Sequence, residues 1–133
     1  MERILFLGLG YIGLPTAALA ASRDLEVVGV DVDPAIVGKV NRGEIHIVEP
    51  GLAEAVREAV SAGRLRASLE PVPGDVYVVV VPTPFKGNHE PDVSYVEAAT
   101  RSVVPLLKED DLFVIESTSP VGTTDRMARL IFA

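Results

Sequence analysis

The chain has 133 residues, enough for one domain with a sizeable hydrophobic core. Hydrophobic residues make up 48% of it and charged residues 23%, a composition too apolar for a disordered chain. Nineteen acidic against twelve basic side chains give a formal charge of −7. That charge repels nucleic acid and anionic membrane surfaces, so neither is an expected partner.

The sequence contains no cysteine, which excludes disulfides, thiolate metal sites and a thiol nucleophile from this chain. No segment approaches the roughly eighteen consecutive apolar residues that a membrane helix needs. Met1, Glu2 and Arg3 lead directly into a strand-like run rather than into a secretory signal. We therefore expect a cytoplasmic protein.

Strands and helices are predicted to alternate along the chain. Short apolar and β-branched runs predict strands at 3–7, 26–30, 65–69, 76–81 and 112–115. Helices are predicted at 11–22, 34–42, 50–62, 94–107 and from 122 onward. Asp33 is predicted to cap the second helix with Pro34 at its first position, and Ser94 with Glu97 to form a capping box for the fourth. We expect the last helix to be cut off at Ala133.

Strands separated by helices of this kind predict a parallel sheet with right-handed crossovers. The expected fold is therefore a doubly wound α/β (Rossmann) domain with strand order 3-2-1-4-5. No repeat or linker interrupts the chain, so residues 1–133 are expected to form a single domain. The charged stretch at 108–111 is interpreted as a solvated turn between a helix and a strand.

A glycine-rich turn follows the first predicted strand. Gly8, Gly10 and Gly13 match G-x-G-x-x-G, in which glycines allow a tight turn, close backbone approach to a diphosphate, and packing of helix on strand. Alone the pattern is weak, because many matches are turns without a ligand. Here a strand precedes it, a helix follows it, and an acid closes the second strand. The combination predicts dinucleotide binding, with the diphosphate on the backbone N–H groups of Tyr11 and Ile12.

Asp31 is that acid, and it stands twenty-one residues after Gly10. At the end of the second strand its carboxylate is placed to accept hydrogen bonds from both hydroxyls of an adenosine ribose. The charges of Asp31 and Asp33 would repel the 2′-phosphate of NADP, so NAD is the expected cofactor. Asp33 itself is interpreted only as a helix cap.

Hydroxyl-bearing residues follow the fourth and fifth predicted strands. Ligands of open parallel sheets bind at the carboxyl ends of the strands, so we assign Thr83 and Thr118 to the cofactor site. Ordinary turn chemistry and a role in the site remain equally open for four other hydroxyls, those of Ser117, Ser119, Thr123 and Thr124.

The sequence does not assign a metal-binding or catalytic role to either of the two histidines. His89 lies in a polar loop without further metal ligands, so a metal site there is not expected. His46 and Glu49 are compatible with a loop or an interface. The sequence contains no catalytic constellation, which indicates a domain that binds a cofactor without visible catalytic groups of its own.

Together these motifs resemble the UDP-glucose/GDP-mannose dehydrogenase family along essentially the whole chain. The resemblance is carried by GLGYIGLPT at 8–16, VD at 30–31, NRGEIHIVEP at 41–50, VPTPFK at 81–86, HEPD at 89–92 and ESTSPVGT at 116–123. The segments at 42–50, 82–86 and 116–122 are the more specific ones. They indicate the branch of the family that acts on UDP-N-acetylmannosamine.

Members of that family oxidise a sugar hydroxymethyl group to a carboxylate in two NAD-dependent steps, through an aldehyde held on a cysteine. The resemblance implies a UDP-sugar substrate, a homodimer for the full-length enzyme, and a cysteine and lysine supplied beyond Ala133. It implies an NAD site lined by Tyr11, Ile12, Asp31, Thr83 and Thr118, with Thr118 nearest the nicotinamide. Ile36 stands where many relatives carry Lys or Arg, a departure that leaves a cationic contact to the adenosine end unsupported.

The leading hypothesis is therefore the amino-terminal NAD-binding domain of a longer nucleotide-sugar dehydrogenase, inactive alone. Two other interpretations stay open. One is a stand-alone NAD-sensing module, and the other is the NAD domain of a hydroxyacid dehydrogenase, which needs no thiol.

Overall fold

The computed structural model describes residues 2–84, 87 and 92–132. Within these residues five strands form one sheet: β1 (Arg3–Leu7), β2 (Glu26–Val30), β3 (Leu65–Ser68), β4 (Val76–Val79) and β5 (Leu112–Ile115). The strand order is β3-β2-β1-β4-β5, and all neighbouring pairs are parallel. The predicted doubly wound fold and its strand order are confirmed. Strand β4 is two residues shorter than predicted.

In the described part of the chain five α-helices flank the sheet: α1 (Gly13–Ala21), α2 (Pro34–Asn41), α3 (Leu52–Ser61), α4 (Ser94–Val103) and α5 (Thr123–Ile131). Helix α4 ends earlier than predicted and continues as a 3₁₀ turn at Val104–Leu106. Pro105 explains the change, because it has no N–H group to continue the α-helical hydrogen bonding. Among the described residues no helix combines the length and apolar character that crossing a bilayer requires.

The start of α4 corrects one sequence prediction. Val93 precedes the helix without a side-chain cap, and Ser94 is already its first helical residue. The Ser94 N–H donates to Oδ1 of Asp92 at 2.9 Å. The carboxylate of Asp92 therefore accepts a backbone N–H at the start of the helix, the role that we predicted for the Ser94 side chain. Glu97 forms an ion pair with Arg101 instead of completing a capping box. The predicted capping box is therefore wrong.

The two faces of the sheet carry two hydrophobic clusters, as the alternation of side chains along β1 requires. Leu5 and Leu7 pack with Val28, Tyr77 and residues of α4 and α5. Phe6 lies on the opposite face with residues of α1, α2 and α3. The resulting three-layer arrangement covers both faces of β1, β2 and β4. It leaves the carboxyl ends of these strands together at one edge.

The opposite, amino end of the sheet is held by charged groups. The backbone N–H of Arg3 donates to Oδ2 of Asp75 at 2.9 Å. The ammonium of Lys108 donates to the carbonyl of Gly74 and contacts Asp75 and Asp111 at 3.3 and 2.6 Å. The Asp111 side chain is only 4% exposed, so the stretch interpreted as a solvated turn also anchors β5 to β4.

These contacts affect two ionisable groups. The Arg3 N–H, followed by Lys108, lowers the pKa of Asp75 below its ordinary value. The hydrogen bond to Asp111, followed by that to Asp75, raises the pKa of Lys108. Both shifts favour the charged forms, which keeps this end of the sheet paired at neutral pH.

Candidate functional site

A crevice of about 730 Å³ lies at the carboxyl ends of the strands. Its walls are the turn between β1 and α1, the end of β2, the ends of β4 and β5, and one face of α4. Seven of the eight predicted cofactor residues line it: Gly8, Gly10, Tyr11, Ile12, Asp31, Thr83 and Thr118. The eighth, Gly13, is buried beneath the turn. The structure thus brings residues from four separate segments to one place.

The three glycines of the turn allow different features of the structure. Gly8 has a φ of +117°, and a Cβ there would lie 2.5 Å from the carbonyl oxygen of Val80. A Cβ on Gly13 would overlap the carbonyl oxygen of Gly8, so α1 packs this closely only without a side chain. A Cβ on Gly10 would meet no atom of the described residues within 4 Å. Gly8 and Gly13 therefore allow the close packing, while Gly10 leaves the crevice side of the turn open.

The amino end of α1 presents unpaired backbone donors to this open space. Ile12 precedes the helix without a side-chain cap, and the first turn contains no acidic residue. Within the described part of the chain, no protein group accepts the N–H groups of Tyr11, Ile12 or Gly13. Tyr11 and Ile12 are 76% and 61% exposed. Free N–H groups at a helix amino end attract anions, so the turn has the chemistry of a diphosphate site.

Asp31 stands beside the glycine turn and is already hydrogen-bonded to it. Its Oδ2 accepts the N–H of Leu9 at 3.1 Å, and its Oδ1 accepts the N–H of Asp33 at 3.0 Å. Each carboxylate oxygen retains capacity for another hydrogen bond, so acceptance from ribose hydroxyls remains possible. The bond to Leu9 was not predicted from the sequence. It shows that Asp31 also fixes the position of the glycine turn.

Asp33 also lines the crevice, and its side chain caps α2. Its Oδ1 accepts the N–H of Ala35 at 2.9 Å, with Pro34 at the first helical position. The predicted cap is confirmed. Ile36 lines the crevice as well, so this part of the wall is apolar.

Thr83 and Thr118 lie on the opposite side of the crevice from Asp31, after β4 and β5 respectively. Neither hydroxyl forms a hydrogen bond within the described residues. Between them, the hydroxyl of Ser117 donates to the carbonyl of Val81 at 2.9 Å. Ser117 therefore lines the crevice and also links the ends of β4 and β5.

The other hydroxyls of this region show the turn chemistry that the sequence left open. Ser119 Oγ donates to the carbonyl of Ser117 at 3.0 Å, and Thr123 Oγ1 donates to that of Pro120 at 2.8 Å. Thr124 is exposed and does not line the crevice. These three hydroxyls give no support to a role in the site.

One wall of the crevice was not predicted from the sequence. It is formed by one face of α4, with Tyr95, Ala98, Ala99 and Ser102. These positions follow the spacing i, i+3, i+4 and i+7, which places them on one helical face. This helical spacing is visible in the sequence, but it does not indicate whether the face packs against the core or contacts a ligand.

Only one of the two histidines, His46, falls within the described residues. His89 falls outside the described residues. His46 lies between α2 and α3 and does not line the crevice, and its ring nitrogens are buried without a hydrogen-bond partner among the described residues. No group of three or more potential metal ligands occurs in the described ranges.

A parallel doubly wound sheet, a glycine turn with free N–H groups and an acid closing the second strand define a dinucleotide-binding domain. The chain matches the NAD binding domain of the UDP-glucose/GDP-mannose dehydrogenase family over residues 2–133. It belongs to that family, and its cofactor is NAD. The resemblance noted in the sequence is confirmed.

Relatives of this chain are nucleotide-sugar dehydrogenases. It is 60% identical over 122 residues to the UDP-N-acetyl-D-mannosamine dehydrogenase of Escherichia coli (strain K12), covering 92% of this chain and 29% of that protein. It is 57% identical over 121 residues to the NDP-N-acetyl-D-galactosaminuronic acid dehydrogenase of Ralstonia nicotianae, covering 91% and 29%. The structure resembles the UDP-N-acetyl-mannosamine dehydrogenase of Staphylococcus aureus with a TM-score of 0.93 and 36% identity, covering 98% and 32%. The chain thus spans less than a third of these relatives' length.

Proposed function

We propose that residues 1–133 form the amino-terminal NAD-binding domain of a UDP-N-acetyl-D-mannosamine 6-dehydrogenase. Such an enzyme oxidises UDP-N-acetylmannosamine to UDP-N-acetylmannosaminuronate with two NAD. The observation that carries the cofactor role is the single crevice that joins the glycine turn, Asp31, Thr83 and Thr118. The 60% identity to the Escherichia coli enzyme supports the choice of sugar.

We assign different residues of the crevice to the diphosphate, the adenosine ribose and the nicotinamide half of NAD. The N–H groups of Tyr11 and Ile12 would hold the diphosphate, and the open side of Gly10 leaves room for it. The carboxylate of Asp31 would accept the hydroxyls of the adenosine ribose. Thr83 and Thr118 lie across β1 from Asp31, and their free hydroxyls would face the nicotinamide half. Bound NAD supplies a hydride acceptor for alcohol and aldehyde oxidation.

The remaining chemistry would come from outside this chain. An aldehyde held on a cysteine requires a thiol, and these 133 residues contain none. We propose that the thiol, an assisting lysine and the sugar pocket belong to the rest of a longer homodimeric protein. We also propose a cytoplasmic location, where NAD and nucleotide sugars are available, and a role in supplying a uronic acid sugar for polysaccharide synthesis.

The test is an assay of the full-length protein with UDP-N-acetylmannosamine, UDP-glucose and simple hydroxyacids. We expect UDP-N-acetylmannosamine to be preferred and two NADH to form per sugar oxidised. Oxidation of a hydroxyacid with one NADH per turnover would contradict the proposal and favour the NAD domain of a hydroxyacid dehydrogenase. A protein that binds NAD but oxidises none of these compounds would favour the NAD-sensing interpretation.

One observation favours a second candidate substrate. The Ralstonia nicotianae relative, 57% identical to this chain, is named for an N-acetylgalactosaminuronic acid product. A nucleotide-linked N-acetylgalactosamine therefore belongs in the same assay. A higher kcat/KM for that sugar would replace the mannosamine assignment and leave the NAD site unchanged.

A further inference from the structure

Ser117 occupies the point where the ladder between β4 and β5 ends. The last paired residues are Val79 and Ile115, and the N–H of Glu116 adds a final backbone bond to the carbonyl of Val79. Beyond it the Ser117 hydroxyl donates to the carbonyl of Val81 at 2.9 Å, with a longer contact of 3.4 Å to that of Val79. A side chain thus extends the pairing of the two strands by one further link.

That link is the only hydrogen bond within the described residues that joins the segment 80–84 to the segment 116–119. Thr83 follows Val81 by two residues, with Pro82 and Pro84 restricting the backbone on either side. Thr118 follows Ser117 directly. The Ser117 hydroxyl therefore links the two turns that carry Thr83 and Thr118.

We propose that Ser117 is a positioning residue for the nicotinamide half of NAD. This inference rests on the proposed placement of that half against Thr83 and Thr118. Ser117 acts through those threonines, because its own hydroxyl proton is already donated to Val81. Removing the hydroxyl leaves the half-buried Val81 carbonyl without this partner and frees the two turns from each other.

The effect is confined to one half of the cofactor. Asp31 and the glycine turn are held by their own contacts, the bond from Leu9 to Asp31 and the packing of Gly13 on Gly8. Ser117 has no hydrogen bond with either of them. Loss of its hydroxyl therefore leaves the adenosine and diphosphate sites in place.

The experiment compares NAD with ADP-ribose, which lacks only the nicotinamide, by calorimetric titration of the 133-residue chain. For Ser117→Ala we expect about five- to tenfold weaker NAD binding and ADP-ribose binding within about twofold of wild type. Ser117→Thr, which keeps the hydroxyl, restores the NAD affinity. The control is Ser22→Ala, which removes a hydroxyl that also donates to a backbone carbonyl, at 2.6 Å, but at the far end of α1. It leaves both affinities unchanged.

Three outcomes overturn the inference: an unchanged NAD affinity in Ser117→Ala, an equal loss for both ligands, or no recovery in Ser117→Thr. A wild-type chain that binds NAD and ADP-ribose equally overturns it too, while leaving the adenosine site intact. Binding of neither ligand by wild type refutes the proposed NAD site itself, which is a distinguishable result. If Ser117→Ala does not fold, Ser117→Cys keeps the volume with a weaker donor and carries the same expectation.

Discussion

The two ends of the sheet use their polar groups in opposite ways. At the amino end the groups are paired with one another. Asp75 accepts the Arg3 N–H and the ammonium of Lys108, and that ammonium also meets the nearly buried carboxylate of Asp111. These contacts join β1, β4 and the start of β5, so this end contributes to stability.

At the carboxyl end the polar groups of the same strands remain available. The amides of Tyr11 and Ile12 and the hydroxyls of Thr83 and Thr118 have no partner in the described parts of the chain. Asp33 and Ser117 are engaged in a helix cap and a strand link, and Asp31 accepts one N–H at each carboxylate oxygen but still has acceptor capacity. Unsatisfied donors next to a crevice therefore indicate that the carboxyl end of the sheet binds the ligand. The mutually paired charges indicate that the amino end stabilises the fold.

The largest expected effect comes from filling the glycine turn at the carboxyl end. Gly8→Ala places a Cβ 2.5 Å from the Val80 carbonyl in a backbone conformation that L side chains rarely adopt. We expect a loss of about 3 kcal/mol in the free energy of unfolding, measured by urea denaturation, and loss of NAD binding.

The matched control is Gly63→Ala, at a positive φ where no atom in the described ranges lies within 4 Å of the added Cβ. It is expected to cost about 1 kcal/mol and to leave NAD binding intact. Equal losses in the two variants would mean that backbone strain alone, and not contact with the Val80 carbonyl, makes Gly8 necessary.

The next largest effect distinguishes the roles of Asp31 and Asp33, the two aspartates that line the crevice. Asp31→Ala removes the expected ribose acceptor and the partner of the Leu9 N–H, so NAD affinity should fall by about 1–3 kcal/mol. Asp33→Ala removes only a helix cap, and should reduce stability by about 1 kcal/mol with little change in NAD affinity. Calorimetric titration and urea denaturation of both variants measure this. Similar NAD affinities in the two variants would remove Asp31 from the ribose site.

The smallest effect is a pH dependence that belongs to the amino end alone. The folded-state pKa of Asp75 is lowered, first by the Arg3 N–H and then by Lys108, so its contribution to stability is present above its ordinary pKa. That contribution is lost as the pH falls through the lowered value, below about 3.8. Urea midpoints measured between pH 2 and 7 should fall more steeply for wild type than for Asp75→Asn in that acidic window. Parallel curves for the two proteins would show that Asp75 does not stabilise the sheet.

Much of the fold was predictable because it depends on local patterns. The bounds of β1, β2 and β5 match the β-branched and apolar runs, and the cap at Asp33 matches its residue type and the following proline. The strand order followed from the alternation of strands and helices. The same reasoning placed Thr83 and Thr118 at the binding edge, since every parallel strand ends there.

The contacts that the sequence did not predict join residues far apart in the chain. Asp31 accepts the N–H of Leu9 22 positions earlier, and Ser117 reaches Val81 across 36 positions. The side-chain amide of Asn41 pairs with both backbone groups of Ala67 at the outer edge of β3, 26 positions away. Periodicity and turn signals do not specify which backbone group a polar side chain will meet in the folded state. At α4 the signal was local but ambiguous, because Asp92 and Ser94 both suit a helix start.

We expect the crevice to bind NAD through an acid that rejects a 2′-phosphate. Calorimetric titration of the 133-residue chain with NAD and with NADP tests it most directly. We expect one NAD per chain and at least about tenfold weaker binding of NADP, because the extra phosphate of NADP would lie beside Asp31 and Asp33. Equal affinity for the two, or no binding of NAD, would contradict it.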